Sequence, residues 1–124
     1  MTTADDVREL VERYFTALEA FDLDAVLACF TEDADYAHPP YPHDPPGTPH
    51  HEAAGHAALR ALLEHRGPRS GRGVIDHVLT DGRRFALWGV LRGPMDRAPV
   101  RFAAVGALDP EGARVRSYAA FTSA

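Results

Sequence analysis

The sequence contains no lysine, no asparagine and no glutamine, and it has one cysteine, Cys29, and one isoleucine, Ile75. Each absence removes a class of chemistry. Without lysine there is no Schiff-base nucleophile and no anchor for pyridoxal phosphate. Without side-chain amides, an oxyanion site must draw on Tyr, His, Arg, a protonated acid or backbone N–H groups. A single cysteine allows neither an internal disulfide nor a multi-cysteine zinc site. No apolar run approaches the roughly 20 residues that span a bilayer. The opening residues, MTTADDVREL, are acidic and polar, unlike a secretory signal. The expectation is a cytoplasmic protein with no membrane association. A formal net charge of −5 argues against nucleic acid as a partner.

What is present is the composition of one globular domain over residues 1–124, with 45% hydrophobic and 25% charged residues. A chain of this length buries a core without staples. Its 13 basic residues are all arginine, and its seven histidines are the natural proton carriers near neutral pH.

Thr3 and Asp6 resemble a capping box, with Asp in the Glu position. Val7, Leu10, Val11, Tyr14, Phe15, Leu18 and Phe21 follow at spacings of three and four, predicting an amphipathic helix. A second, short helix is expected over Leu23–Phe30 with Asp22 as its cap. A strand is expected over Ala34–His38, with Tyr36 and His38 on one face. Residues 39–50 hold six of the ten prolines and read as a stiff loop. A helix over Gly55–His65 ends at Gly67-Pro68. Four strands are expected beyond it: Val74–Thr80, Arg83–Arg92, Pro99–Leu108 and Arg114–Thr122. Asp81-Gly82 signals a two-residue hairpin turn, and Asp109-Pro-Glu-Gly112 a longer one. Helices followed by an antiparallel meander make an α+β pattern.

Two of these strands are apolar on both faces. In the second meander strand, Phe85, Leu87 and Leu91 oppose Ala86, Trp88 and Val90. In the third, Val100, Phe102 and Ala104 oppose Ala103, Val105 and Ala107. A sheet covered by helices on one side alone shows polar residues on the other. The expected cover for the second face is another copy of the chain, in a homodimer.

The order of these features resembles a known family. A long helix carrying Arg13-Tyr14 leads to a short helix ending Ala-Cys-Phe-Thr-Glu-Asp-Ala. A strand, Gly-His-Ala-Ala-Leu and a meander closing on Asp-Pro-Glu-Gly-Ala-Arg-Val follow. Over almost its whole length the chain is similar to the nuclear-transport-factor-2-like superfamily, and within it to SnoaL-like polyketide cyclases and ketosteroid isomerases. The resemblance implies a cone-shaped α+β barrel with N-terminal helices packed on a curved antiparallel sheet. In the isomerases the first-helix tyrosine donates to a developing enolate, and Tyr14 matches it. Their first-strand Asp-Pro carries the base; this chain reads His38-Pro39 there. Their third meander strand supplies a protonated Asp, and the matching position here is about Ala104. The phenol is therefore kept, the carboxylate base becomes an imidazole, and the second oxyanion donor is lost.

These readings name candidate residues, each with a plainer alternative. His38 is the candidate general base, since imidazole is matched to proton transfer at neutral pH; alternatively it caps its strand. Tyr14 is the candidate donor to a substrate oxygen, or an ordinary core tyrosine bonded to a backbone carbonyl. Trp88, Phe102 and Tyr118 line a pocket if Ala86, Trp88 and Val90 form the concave face; otherwise they are packing. Tyr36 and His51 complete the candidate substrate-binding set. His43, His50, His51, His56, Glu52 and His38 raise a metal reading, but no HxH or HExxH pattern is present, and no metal or cofactor is expected. The function expected is acid–base catalysis on a hydrophobic carbonyl compound, of isomerase, cyclase or dehydratase type. The alternatives are a non-catalytic small-ligand-binding module of the same fold, and a metal-dependent enzyme using the histidine-rich loop.

Overall fold

A computed structural model describes residues 1–68, 71–93 and 99–123. Helix α1 (Ala4–Glu19) starts at the expected capping box: the Thr3 hydroxyl accepts from Asp6 N–H at 3.2 Å, and the Asp6 carboxylate accepts from Thr3 N–H at 2.9 Å. Its apolar stripe, Val7, Leu10, Val11, Tyr14 and Phe15, is buried. Helix α2 (Leu23–Ala28) is capped by the Asp22 carboxylate, which accepts from Ala25 N–H. It is shorter than the periodicity suggests, because Phe30 already opens strand β1 (Phe30–His38) and is fully buried there.

The proline-rich loop leads into a strand that the sequence pattern did not announce, β2 (His51–Ala54). It runs antiparallel to β1, with Tyr36 opposite Ala53 and His38 opposite His51. Helix α3 (His56–Arg66) lies within a residue of its expected bounds and ends at Gly67, whose φ of +69° suits glycine. Strands β3 (Arg72–Thr80), β4 (Arg84–Arg92), β5 (Val100–Leu108) and β6 (Val115–Thr122) form the meander. The expected two-residue hairpin turn is absent. Thr80 ends β3 and Arg84 opens β4, leaving the three residues 81–83 between them, where the Asp81 carboxylate captures the N–H groups of Arg83 and Arg84 at 3.0 and 2.8 Å.

The six strands make one curved sheet in the order β2-β1-β6-β5-β4-β3. The expected α+β fold, N-terminal helices on a curved sheet, is present, and two details refine it. The sheet is mixed, since β1 pairs parallel with β6, and it is unclosed, with β2 and β3 as its edges. The parallel pair follows from connectivity: β1 returns to the sheet's centre through β2, α3 and the whole meander rather than a hairpin. At the β3 edge, Asp76 is the extra residue of a bulge between Ile75 and His77. The Arg8 guanidinium on α1 donates to the carbonyls of Ile75 and Asp76 at 2.7 and 3.2 Å and so ties helix to bulge.

The helices pack on the concave face, where Phe85, Leu87, Phe102, Ala104, Tyr118 and Ala120 are buried. Trp88 lies on the other face and is 40% exposed. The register explains it: Trp88 pairs with Ala103, whereas Gly89 pairs with Phe102. Gly89 is required on the inward side, because a Cβ there would lie 1.9 Å from the Val74 carbonyl oxygen. The outer face also carries Val105, Phe121 and Leu79, 47%, 48% and 61% exposed.

Candidate active site

Between α1 and the concave sheet lies a cavity of about 1010 Å³. Helical spacing turns Tyr14 and Phe15 of α1 toward the sheet. Strand alternation brings Tyr36 of β1, Phe102 of β5 and Tyr118 of β6 to meet them. Residues 39–43 follow β1 directly and form another wall. Exposed Arg72 and Arg92 also line the cavity, on facing positions of β3 and β4, together with Arg66 from the end of α3.

The centre of the wall is a buried phenol pair. The hydroxyls of Tyr14 and Tyr36 are 2.6 Å apart, and either can donate. Tyr118 stacks on Tyr36, with ring centroids 5.7 Å apart and planes 10° from parallel, and meets Tyr14 edge-on at 5.3 Å. Burial first, then the neighbouring phenols Tyr36 and Tyr118, push the Tyr14 hydroxyl well above the usual tyrosine range. Burial does the same to Tyr118, with Tyr36 adding to it. Both remain neutral donors at any ordinary pH.

His38 lines the same cavity at the end of β1. Its Nδ1 lies 2.8 Å from the Pro39 carbonyl oxygen. A carbonyl can only accept, so Nδ1 carries the hydrogen and Nε2 is the basic nitrogen. The ring is stacked 4.8 Å from Tyr41, which fixes its plane.

A second polar cluster lies beside this wall. The Asp44 side chain is only 3% exposed. Its Oδ2 accepts from Tyr41 N–H and from His51 Nε2, both at 2.7 Å, and its Oδ1 accepts from His65 Nε2 at 2.7 Å. His43 Nε2 donates to the His65 carbonyl at 3.0 Å. The His51 hydrogen bond, ahead of those from Tyr41 N–H and His65, holds the Asp44 carboxyl well below the usual carboxylate range, against the opposing effect of burial.

The structure thus brings Tyr14, Tyr36, His38, Phe102 and Tyr118 to one cavity and leaves two expected residues out of it. Trp88 points away, because β4 presents Phe85, Leu87 and Gly89 inward. His51 is absent from the cavity wall; it is committed to Asp44 and stacks on Tyr41 at 5.2 Å. Ala104 is fully buried on the inward face, opposite Leu87 and Ala120. The histidines of the metal reading separate: His50 sits against Phe121, and His56 Nε2 donates to the Phe30 carbonyl. Sequence reasoning missed Phe15, Tyr41, Asp44, His65 and the three arginines. Phe15 carried a usable signal, since it shares the buried stripe of α1. Asp44 carried a weaker one, as an acid placed to close a turn inside a proline-rich loop.

A sequence model of the SnoaL-like domain matches residues 11–118. No curated protein matches the chain. Among solved structures, an NTF2-like protein of unknown function from Burkholderia pseudomallei is similar over 98% of this chain and 91% of its own, with 22% identity and a TM-score of 0.72. A candidate isomerase of the SnoaL-like family from Agrobacterium tumefaciens aligns over 97% and 99%, with 16% identity and a TM-score of 0.72. A candidate SnoaL-like polyketide cyclase from Shewanella denitrificans aligns over 94% and 89%, with 16% identity and a TM-score of 0.65. Among the described residues no helix is long and apolar enough to cross a membrane. With the family match running from α1 to β6 on a fold these structures share, the chain belongs to the SnoaL-like family of the NTF2-like superfamily.

Proposed function

We propose that this protein is a small-molecule enzyme that moves a proton beside a carbonyl group of a hydrophobic substrate, in an isomerisation or cyclisation. The observation that carries the reading is the convergence of an imidazole, His38, and a buried phenol pair, Tyr14 and Tyr36, on one aromatic-walled cavity. In this reading His38 Nε2 removes a proton from the carbon next to the carbonyl. The negative charge that develops on the carbonyl oxygen is met by the phenol pair. A phenol O–H of the pair donates to that oxygen when the substrate reaches it. The low-dielectric aromatic wall strengthens that bond. The proton then returns from His38 to a different carbon, or the enolate carbon attacks a second carbonyl, whose π bond opens to an alkoxide that takes the proton back from His38. Arg66, Arg72 and Arg92 favour a substrate that also carries a negatively charged oxygen. No step calls for a cofactor. Family neighbours described as a candidate isomerase and a candidate polyketide cyclase agree with this chemistry.

The protein is proposed to work as a homodimer, with Trp88, Val105 and Phe121 of the outer face covered by a second copy. The site is proposed to act in the cytoplasm.

The test is exchange of α-protons of aryl ketones and β-diketones in D₂O, followed by NMR. His38→Gln is expected to lower exchange by roughly 10²–10⁴ and to abolish the fall in rate as pH drops through the histidine range. Tyr14→Phe is expected to lower the rate while keeping that fall. Full exchange in His38→Gln with an unchanged pH profile would remove His38 from the mechanism. A second reading, a ligand-binding module, draws on the fact that the two phenols already satisfy each other without a ligand. It is favoured if the ketones bind, exchange is absent, and His38→Gln changes affinity alone.

A further inference from the structure

We infer that His43, Asp44 and His65 form a binding site for a divalent first-row transition ion of the zinc class, beside the cavity. One ligand atom from each of these residues lies within 4.8 Å of the other two. The donor set, two imidazoles and one carboxylate oxygen, suits zinc, cobalt or nickel rather than magnesium or calcium, which favour oxygen alone.

The carboxylate is already arranged as a ligand. Asp44 Oδ2 is occupied by Tyr41 N–H and His51 Nε2, so the carboxylate cannot rotate, and Oδ1 is turned to His65. Outer hydrogen bonds of this kind orient ligating carboxylates in metal proteins. His43 is oriented too. Its Nε2 donates to the His65 carbonyl, which leaves Nδ1 with the lone pair for the ion. His65 lies in the last turn of α3, whereas His43 and Asp44 lie in a loop stiffened by Pro42, Pro45 and Pro46, so little order remains to be imposed on binding.

The exchange balances simply. On binding, His65 Nε2 gives up the hydrogen it now directs at Asp44 Oδ1, the ring keeps one hydrogen on Nδ1 and stays a neutral imidazole, and the ion takes the vacated place. These two atoms, 2.7 Å apart, must separate to about 3.3 Å, the span of two ligands each 2.0–2.1 Å from a tetrahedral ion. Three protein ligands leave a fourth position for water. Because His43 also lines the cavity, an ion here would pin that wall to the end of α3.

The experiment uses untagged, chelator-treated protein titrated with Zn²⁺ by calorimetry, and with Co²⁺ by visible absorption. One ion per chain is expected, with a tetrahedral cobalt spectrum and affinity that falls at lower pH as the imidazoles take up protons. His43→Ala and His65→Ala should each weaken binding at least about tenfold, and His51→Ala by roughly 10–100-fold through loss of the Asp44 support. His50→Ala and His77→Ala, remote histidines, should leave it unchanged. His43 is exposed, so its variant carries little folding risk, and circular dichroism of the metal-free form checks this. Absence of one-to-one binding, retention of full affinity in folded His43→Ala, or equal loss in His50→Ala would overturn the assignment. The readout is binding, so it stands or falls separately from the proton-transfer reading.

Discussion

Replacing Tyr14 by Phe deletes one hydroxyl and leaves the Tyr36 oxygen without the partner it now meets at 2.6 Å. Both rings are almost fully buried, at 2% and 3% exposure, so water does not readily replace the lost group. A buried polar atom stripped of its partner costs about 1–3 kcal/mol, and Tyr36→Phe should cost a similar amount for the same reason. Removing both hydroxyls leaves two rings of nearly the same shape and no orphan from that bond. Tyr14→Phe/Tyr36→Phe should therefore be less destabilised than the sum of the two single variants, with a coupling energy of about 1–2 kcal/mol. The assay is urea unfolding of all four proteins at one concentration, since dimerisation would make stability concentration-dependent. Losses that add to within about 0.5 kcal/mol would refute the shared bond.

Gly89→Ala places a Cβ 1.9 Å from the Val74 carbonyl oxygen, where only backbone could move, and should cost about 3 kcal/mol or more in thermal unfolding; a melt unchanged from the parent would contradict the strand register. The Asp44 carboxyl is held below its ordinary 3.8, so it adds stability that is complete above that pH and is lost as pH falls through its lowered value; urea midpoints should fall more steeply in acid for the parent than for Asp44→Asn. Light scattering should give about twice 13.5 kDa for the parent, and Val105→Asp, a charge at the centre of the outer face, should give a monomer; a monomeric parent would leave the exposed apolar face without its proposed cover.

Local chemistry was readable where local chemistry decides. The Thr3–Asp6 box, the Asp22 cap and the Gly67 stop all lie within a few residues of what they control, and the helices follow them. Period-two alternation was readable as well, but not its sign in β4. Phe85 and Leu87 oppose Ala86 and Trp88, so both faces are apolar, and hydrophobicity alone assigned the larger ring to the inside. Gly89 was the better guide: a residue that tolerates no Cβ marks the side pressed against its neighbour. Strand β2 was hidden because four residues, His51–Ala54, carry little strand preference and are held by pairing to β1. Asp44, His51 and His65 meet across a loop, a strand and a helix, and no spacing in the sequence brings them together.

The parallel pairing of β1 with β6 bears on how the molecule is made. Tyr36 finds its stacking partner in Tyr118, with α3 and most of the meander lying between them in the chain. During synthesis, β1 emerges early and waits beside only β2, with one backbone edge unsatisfied until β6 arrives. Joining two distant segments carries a loop-closure cost before any contact repays it, which slows folding. The aromatic wall is then the last part of the molecule to exist. A nascent or partly refolded chain would expose Tyr14, Phe30 and Tyr36 together, the surface a chaperone would hold, and a chain interrupted before Val115 would lack the one strand that joins β2-β1 to β5-β4-β3, and with it the Tyr118 wall of the cavity.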